Sequence, residues 1–422
     1  MQARVQSDSK CNPGLRVVLW VVEARWKGIM ASSAVVVFSY CFREVNFSAD
    51  SGQEGSHMAF GQLEMIGGVC GANLVGMTTI KYDGHSIDTG PMGIWSWFLR
   101  SGSSGFGSSS TAEQVTDVID ATGLTAIVTG ATSGIGKETA RVLALRGAKV
   151  IIPSRDLENG LKTKESLLLE NPKAKLDVME MDLSSINSIT SFARSFNSSN
   201  PRLNILINNA GIMACPFQLS LDGIELQYAT NHLGHFLLTN LLLDKLKTTA
   251  KETGIEGRII NVSSSAHRRY SKNSSINDLK IINHPIKYKG YDAYCRSKLA
   301  NILHANELAR VLQEEGANVT ANSLHPGLIP TNISRYINLK GFPFPVLKTL
   351  LKPIVKSIPQ GASTTCYLAL HPDLKGVTGK YFANCNESPP SSQAQDMDLG
   401  KKLWDFSLDL LNNLNNKPNN KK

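Results

Sequence analysis

The stretch AIVTGATSGIGKETA, from Ala126 to Ala140, joins a short β-branched run to a glycine-rich turn and then to a helical pattern. Glycines in such a turn let the backbone approach a pyrophosphate, which binds the unpaired N–H groups and the positive dipole end of the helix that follows. The glycine spacing, G-x-x-x-G-x-G, departs from the commonest dinucleotide fingerprint G-x-G-x-x-G. The stretch predicts a strand, a turn and a helix that bind a dinucleotide, and an ordinary glycine-rich turn is the alternative.

Beyond Leu124, short β-branched runs alternate with longer helical patterns. This alternation is typical of a parallel sheet with helices on both faces, so the sequence predicts an α/β fold with a doubly wound parallel sheet, a Rossmann-type single domain over residues 124–412. Ligands bind such sheets outside the carboxyl ends of the strands. The strand candidates are TAIVT, AKVII, KLDVMEM, NILI, RIINV and NVTANSL, and the predicted helices begin at Gly134 or cover Leu157–Leu169, Ile186–Phe196, Tyr228–Lys247 and Tyr291–Glu315.

The regions that flank the predicted domain have a different composition. Residues 1–91 contain isolated apolar bursts without a sustained period, so we expect a disordered or irregular N-terminal extension. Residues 92–123 hold the flexible stretch SGSSGFGSSS (Ser101–Ser110) and form a linker, and residues 413–422 form a polar tail. The extension carries seven Lys or Arg and eight Asp or Glu, unlike an acid-poor transit peptide. No apolar run reaches the ~18–20 residues of a membrane-spanning helix, which leaves peripheral membrane association open.

Composition excludes several function classes. Hydrophobic residues make up 42% and charged residues 19% of the 422 residues, as in globular proteins. The formal charge of +9 is spread along the chain without a nucleic-acid-binding signature, so we expect no nucleic-acid partner. The seven cysteines are scattered, which favours reduced thiols in a cytosol-like or stromal compartment. His232, His235, His267 and His325 lack metal-ligand spacing, so we expect no metal site.

Polar side chains follow the second, third and fourth strand candidates. Arg155 stands where an acidic side chain would bind the adenosine ribose of NAD, and a guanidinium there suits the 2′-phosphate of NADP. A plain surface arginine is the alternative, and the adjacent Asp156 would partly offset its charge. Asp182, in MDLSS, is placed to meet the adenine or to cap the next helix. The small residues of NNAG (Asn208–Gly211) let the backbone pass close to a cofactor.

Tyr294 and Lys298 lie four residues apart in YCRSK, so they share one face of a helix. A free tyrosine has a pKa near ~10, and a neighbouring ammonium that stabilises the phenolate lowers it. This makes Tyr294 a candidate general acid/base, although the same spacing also occurs on solvated helix faces. The strand candidate RIINVSSS ends in Ser264, whose hydroxyl can hydrogen-bond a substrate carbonyl.

Two segments near the last strand candidate complete the set. HPGLIPT (His325–Thr331) forms a rigid turn that places Thr331 to hold a nicotinamide amide. FPFPVLKTLLKPIVKSI (Phe342–Ile358) carries Lys348, Lys352 and Lys356 at helical spacing. A covering helix with a solvated lysine stripe is the simplest interpretation, and a lid, a lipid contact or a target for a calmodulin-type partner are the alternatives.

Six motifs occur in the order and approximate spacing of the short-chain dehydrogenase/reductase family: TGATSGIG, NNAG, NHLGHF, NVSSS, YCRSK and HPGLIPT. The chain resembles this family from Leu124 to Phe382. The resemblance implies a catalytic triad of Ser264, Tyr294 and Lys298, which Asn231 extends to a tetrad by holding a proton-relay water. With the residues above, the predicted cofactor contacts are Gly130, Ser133, Gly134, Ile135, Gly136, Arg155, Asp182, Asn209, Ala210, Gly211, Tyr294, Lys298 and Thr331.

The long segment between Ser264 and Tyr294 resembles the retinol-dehydrogenase-like branch of the family. From about Met92 to the C terminus, the chain resembles a plant branch associated with the protein translocon of the chloroplast inner envelope. This resemblance implies a chloroplast inner-envelope location and translocon components as partners. Two features depart from the pattern: Pro153 stands within a strand candidate, and residues 1–91 have no counterpart, so the extension is either a gene-model artefact or a lineage-specific addition.

The predicted activity is reversible hydride transfer between NADP(H) and a carbonyl or alcohol, with Tyr294 as the acid, Ser264 polarising the oxygen and Lys298 tuning Tyr294 and binding the nicotinamide ribose. Apolar residues between Ile333 and Ile358 favour a hydrophobic substrate. The alternative is an NADP(H)-sensing subunit of a membrane translocon in which turnover is incidental. The sequence does not indicate an oligomeric state.

Overall fold

The computed structural model describes residues 102–270, 276–331, 333 and 355–415, together with the backbone of two short strands in the N-terminal extension. Those strands, β1 (Thr79–Tyr82) and β2 (His85–Asp88), form a two-stranded sheet of their own. The sequence did not predict them. Lys348 and Lys352, in the apolar segment discussed above, lie outside the described residues.

An eight-stranded sheet organises the chain from residue 125 onward. Its strand order is β10-β9-β8-β7-β6-β3-β4-β5; neighbouring strands from β3 to β9 pair in parallel, and β10 pairs antiparallel with β9 at the edge. This confirms the doubly wound parallel sheet and the six strand candidates. The strands are β3 (Thr125–Val128), β4 (Lys149–Ser154), β5 (Lys175–Glu180), β6 (Ile205–Asn208), β7 (Gly257–Val262), β8 (Val319–His325), β9 (Tyr381–Ala383) and β10 (Asn386–Glu387).

In the described part of the chain seven α-helices have twelve or more residues, and the five predicted from sequence are among them. A helical turn (Leu226–Tyr228) and a π-helix (Ala229–Leu233) lead directly into the fourth of the predicted helices, which begins at Gly234. The seven are α1 (Gly134–Leu145), α2 (Leu157–Glu170), α3 (Ile186–Ser199), α4 (Gly234–Thr253), α5 (Gly290–Glu314), α6 (Ile358–Leu370) and α7 (Met397–Asn415). Among the described residues, no helix is long and apolar enough to cross a membrane.

The core lies on both faces of the sheet, as the side chains of β3 show. Ile127 packs with α3 and α4 on one face, whereas Ala126 and Val128 pack with α1 and α6 on the other. All three are fully buried. Central parallel strands are covered by helices on both sides, which is why their sequences are continuous apolar runs rather than alternating ones.

Pro153 does not interrupt β4. It pairs in register with Met179 of β5, while the pairing of β4 with β3 ends at Ile151. A proline cannot donate to a sheet ladder, so it is tolerated where only one side of the strand requires hydrogen bonds. Pro153, which departs from the family pattern, therefore leaves the carboxyl end of β4 intact.

The sheet has a switch point between β3 and β6. The chain moves outward from β3 to β4 and β5, then returns to the other side of β3 as β6. In open α/β sheets the crevice for ligands lies at the carboxyl ends of the strands at such a point. Here those ends are the turn at Gly130 and the NNAG segment.

Candidate active site

Two positions of the glycine turn accept only glycine. Gly130 has a φ of +67°, and a Cβ there would lie 2.8 Å from the Ala210 Cα. A Cβ on Gly136 would lie 2.3 Å from the Gly130 carbonyl oxygen. A side chain at either position would clash with the main chain, and Gly130 also has a left-handed conformation that favours glycine. The absence of these side chains lets the turn after β3 lie close to the loop after β6.

Thr129 joins the two loops through its hydroxyl. The Thr129 Oγ1 accepts hydrogen bonds from the main-chain N–H groups of Asn209 and Ala210, both at 2.9 Å. In return, the Asn209 Nδ2 donates to the Thr129 carbonyl at 2.8 Å. Sequence reasoning did not single out Thr129, yet it fixes the position of two predicted cofactor residues.

The N-terminus of α1 faces the end of the loop after β8. Ser133 is the N-cap of α1, but its hydroxyl caps no N–H group of the first turn. A Cβ on Gly134 would lie 3.2 Å from the Thr331 Cγ2, so the structure brings Thr331 close to the glycine turn. Ile135 packs beside Gly361 of α6. A glycine-rich turn that leads into a helix without a side-chain cap fits a pyrophosphate, and hence a dinucleotide.

Two acidic residues near the predicted binding site for the adenosine half of the cofactor make hydrogen bonds within the protein. Asp156 caps α2, since its carboxylate accepts a hydrogen bond from the Asn159 main chain. The Asp182 carboxylate accepts from both the N–H and the hydroxyl of Ser184 at 2.8 Å, so it organises the turn before α3. Arg155 is exposed and makes no salt bridge within the described residues. Its guanidinium is therefore available to a ligand.

Tyr294 and Lys298 both lie on α5 and are almost fully buried. The Lys298 Nζ donates to the Val262 carbonyl at the end of β7, at 2.9 Å, and lies 5.7 Å from the centre of the Tyr294 ring. Burial lowers the pKa of Lys298 to about 8. The predicted pairing on one helix face is thus confirmed, and the face is buried rather than solvated.

The expected lowering of the Tyr294 pKa by Lys298 is not what the structure gives. Burial raises the pKa of Tyr294 above its ordinary value, and a hydrogen bond with the Ser264 hydroxyl opposes this only in part. Tyr294 is therefore protonated at neutral pH. It is better suited to donating a proton than to accepting one.

Asn231 lies in the π-helix and is fully buried. Its amide makes two hydrogen bonds with the main chain of Ile212, both at 2.9 Å, and its Nδ2 also donates to the Ser297 Oγ of α5 at 2.9 Å. The Ser297 hydroxyl in turn donates to the Tyr294 carbonyl. Asn231 thereby ties the loop after β6 to the helix that carries Tyr294.

Gly211 shows that the nucleotide loop and the tetrad form one site. A Cβ on Gly211 would lie 3.4 Å from the Asn231 Oδ1 and 3.5 Å from the Lys298 Nζ. The last residue of NNAG therefore borders two of the four predicted catalytic side chains, although they are far apart in sequence.

Ser264 is held by His267, one of the four histidines that lack metal-ligand spacing in the sequence. The His267 Nδ1 donates to the Ser264 carbonyl at 2.6 Å, and its Nε2 accepts from the Ser391 N–H at 3.1 Å. Burial lowers the pKa of His267 to about 4, so the ring is neutral. The bond orients the short helix at Ser265–Arg269 that begins at Ser264.

The prediction that Lys356 belongs to a solvated lysine stripe is wrong. This residue is only 6% exposed, and its chain lies against Gly327, where a Cβ would come within 2.6 Å of the Lys356 Cδ. Its ammonium has no hydrogen-bond partner in the described part of the chain. The helical spacing that suggested exposure does not hold here, because Val355 pairs with Leu328 beside the β8 turn.

A glycine turn at the switch point of a doubly wound sheet, bordered by tyrosine, lysine, serine and asparagine, defines a nicotinamide-dependent dehydrogenase or reductase. The chain belongs to the short-chain dehydrogenase family, an oxidoreductase family that binds nicotinamide cofactors. The family model for short chain dehydrogenase matches residues 124–276. With short-chain dehydrogenase TIC 32 B, chloroplastic, of Brassica napus, the chain is 58% identical over 315 residues, which are 75% of this chain and 97% of the relative.

Two further relatives extend the comparison. Human retinol dehydrogenase 13 is 42% identical over 293 residues, covering 68% of this chain and 85% of its own. The crystal structure of an uncharacterized protein from Mycobacterium paratuberculosis matches with a TM-score of 0.55 and 32% identity, over 71% of this chain and 97% of that one.

Proposed function

We propose that the protein is an NADP(H)-dependent oxidoreductase that interconverts a carbonyl and an alcohol on a hydrophobic substrate. The observation that carries this proposal is the site at Gly211, where the nucleotide loop borders Asn231 and Lys298. A bound cofactor at the loop would place its reactive end beside the buried acid on α5.

The residues of the glycine turn would hold the pyrophosphate, and Lys298 and Thr331 would hold the nicotinamide half. When bound, a reduced nicotinamide supplies the hydride for the carbonyl carbon. Tyr294 donates its phenolic proton to the carbonyl oxygen, because burial keeps it protonated at neutral pH. Ser264, which hydrogen-bonds Tyr294, polarises the same oxygen.

Lys298 has two tasks in this proposal. Its ammonium is buried beside Asn231, so it can bind ribose hydroxyls and pass a proton back towards Tyr294. Its pKa, lowered to about 8, lets it gain and lose a proton near neutral pH. Asn231, locked to Ile212 and Ser297, would hold the water that returns the proton.

The preference for NADP(H) rests on Arg155. Its exposed guanidinium follows β4, and the neighbouring Asp156 carboxylate is used in capping α2. A guanidinium pairs well with a phosphate, whereas an acidic residue at this place would pair with ribose hydroxyls. The fold also occurs in a Pseudomonas aeruginosa RhlG/NADP active-site complex, with 26% identity and a TM-score of 0.50 over 62% of this chain and 95% of that one.

The substrate and location are inferred from relatives. Retinol dehydrogenases 12, 13 and 14 are named for an apolar alcohol, which supports a hydrophobic substrate. The two Brassica napus relatives are described as chloroplastic, which supports our proposal of a chloroplast location. Peripheral association with the inner envelope and its protein-import translocon completes the proposal, and it rests on the sequence resemblance.

The test is a panel of carbonyl substrates, from short aldehydes to retinaldehyde, with NADPH or NADH and the purified full chain. Turnover with NADPH is expected, together with tighter binding of NADPH than of NADH by ~10- to 100-fold, the value of a charge-assisted contact. Arg155→Asp should abolish this preference, and Arg194→Asp, an exposed arginine on α3, is the matched control. Equal affinities in the wild type, or an Arg155→Asp protein that still prefers NADPH, would refute the cofactor assignment.

A further inference from the structure

His235 is a buried histidine that links the nucleotide turn to the catalytic asparagine. It lies on the first turn of α4 and is 1% exposed. Its Nε2 is 2.9 Å from the Thr129 Oγ1, and its Nδ1 is 3.0 Å from the main-chain oxygen of Asn231. One imidazole ring thus contacts both the hydroxyl that holds the NNAG loop and the backbone of the tetrad.

The hydrogen bonds at the two ends of this ring assign its tautomer. The Asn231 main-chain carbonyl can only accept, so the His235 Nδ1 carries a hydrogen and donates it. At the other end, the Thr129 oxygen already accepts from the N–H groups of Asn209 and Ala210, so both of its lone pairs are in use. The Thr129 hydroxyl therefore acts as a donor here, with the His235 Nε2 at 2.9 Å and the Ile207 carbonyl at 3.3 Å as its acceptors.

The ring stays neutral at physiological pH. Burial, together with the positive charge of Lys298, lowers the pKa of His235 to about 4, although the bond to the Asn231 carbonyl opposes both effects. The other titratable rings near it, His232 and His304, are also buried, and their pKa values are lowered as well. A neutral ring with a fixed tautomer is suited to orientation rather than to proton exchange.

We propose that His235 is a positioning residue of the active site, which holds the Asn231 carbonyl through its Nδ1–H while its Nε2 is held by Thr129. The proposal rests on the function proposed above. A carbonyl oxygen has two lone pairs, and a donor on one of them fixes the direction in which the other points. His235 thereby makes the geometry of the tetrad depend on the loops that contact the cofactor.

Two variants distinguish the contact of the His235 Nδ1 with Asn231 from the contact of its Nε2 with Thr129. In His235→Asn the amide Nδ2 is attached at Cγ, like the imidazole Nδ1, so the donor to Asn231 is retained and the contact with Thr129 is lost. In His235→Gln the amide is attached at Cδ, like the Nε2, so Thr129 keeps a partner and Asn231 loses its donor. The pair is matched in size and polarity, and its members differ in which contact survives.

His235→Gln should lower kcat by about 10- to 100-fold, the effect of a misplaced catalytic group, with little change in NADPH affinity. His235→Asn should recover most of kcat. Equal losses in the two variants, or a His235→Gln protein with wild-type kcat, would overturn the proposal. Thermal melts of both variants, with and without NADPH, show how much of any loss reflects unfolding.

A measurement on the wild-type protein tests the contacts without turnover. In 15N-histidine NMR spectra the His235 ring should show a protonated Nδ1 and an unprotonated Nε2 that do not change between pH 5.5 and 8.5. A protonated Nε2, or a ring that titrates in this range, would overturn the proposal. A wild type that reduces no carbonyl on the panel would instead refute the proposed function, and the tautomer would still decide whether the ring makes these contacts.

Discussion

Replacing Lys356 by methionine should stabilise the protein. Lys356 is 6% exposed, and its ammonium finds no hydrogen-bond partner in the part of the chain that is described. Burial lowers its pKa from 10.5 to about 8. Methionine has a similar length and no charge, so it keeps the packing against Gly327 and removes the desolvated cation.

The size and pH dependence of the gain follow from this pKa. A fall from 10.5 to about 8 corresponds to roughly 3 kcal/mol, since each pKa unit is worth about 1.4 kcal/mol. The folded pKa lies below the unfolded one, so the penalty is complete below about pH 8, where both states are protonated. It shrinks as the pH rises towards 10.5, because the folded protein then releases the proton first. The gain from methionine should therefore be about 2–3 kcal/mol at pH 7 and clearly smaller at pH 9.5.

Urea unfolding of the wild type and of Lys356→Met, at pH 7 and at pH 9.5, measures this gain. Lys402→Met, at an exposed position of α7, is the control and should change the free energy of unfolding by less than about 0.5 kcal/mol at either pH. A destabilised Lys356→Met protein, or a gain that is the same at both pH values, would refute the reasoning. A destabilised variant would mean that the ammonium is compensated in the folded state, and a gain that does not depend on pH would mean that it comes from packing rather than from removal of the buried charge.

Two further changes test the site itself. Tyr294→Phe removes the buried acid and leaves the glycine turn intact, so turnover with NADPH should fall by about 10²–10⁴-fold while a fluorescence titration gives nearly unchanged NADPH affinity; unchanged turnover would remove Tyr294 from the mechanism. Gly136→Ala puts a Cβ 2.3 Å from the Gly130 carbonyl oxygen, so the melting temperature and NADPH binding should both fall, and wild-type values for both would show that the turn can widen.

The fold was predictable because its signals are local. The β-branched runs gave six strands, and the predicted helices starting at Gly134 and Leu157 begin where the sequence placed them. The strands β9 and β10 were missed, since they have only three and two residues and no apolar period of their own. They depend on tertiary contacts: β9 pairs with β8 and packs with α6 through Phe382, and β10 pairs with β9.

Burial was harder to predict than secondary structure. Lys356 looks like one member of a solvated stripe, and Tyr294 like a base whose pKa is lowered by a cation. Both expectations assumed exposure to solvent at the helix surface. In the folded chain both side chains are covered, so desolvation decides the pKa of each, and it opposes the charged form in both cases. Helical spacing shows which residues share a face, but it does not show whether that face meets water.

The same limit explains why Tyr294 and Lys298 were found from sequence and His235 was not. Asn231 and His235 are also four residues apart, but their hydrogen bond ends on a main-chain carbonyl, which every residue possesses. The π-helix matters here: Gly234 donates its N–H to the Ala229 carbonyl five residues back, so the backbone at Asn231 departs from α-helical geometry. In this setting the Asn231 carbonyl accepts a hydrogen bond from the side chain of His235, four residues on. Sequence spacing alone does not reveal such a bond, because it depends on the backbone geometry of the folded chain.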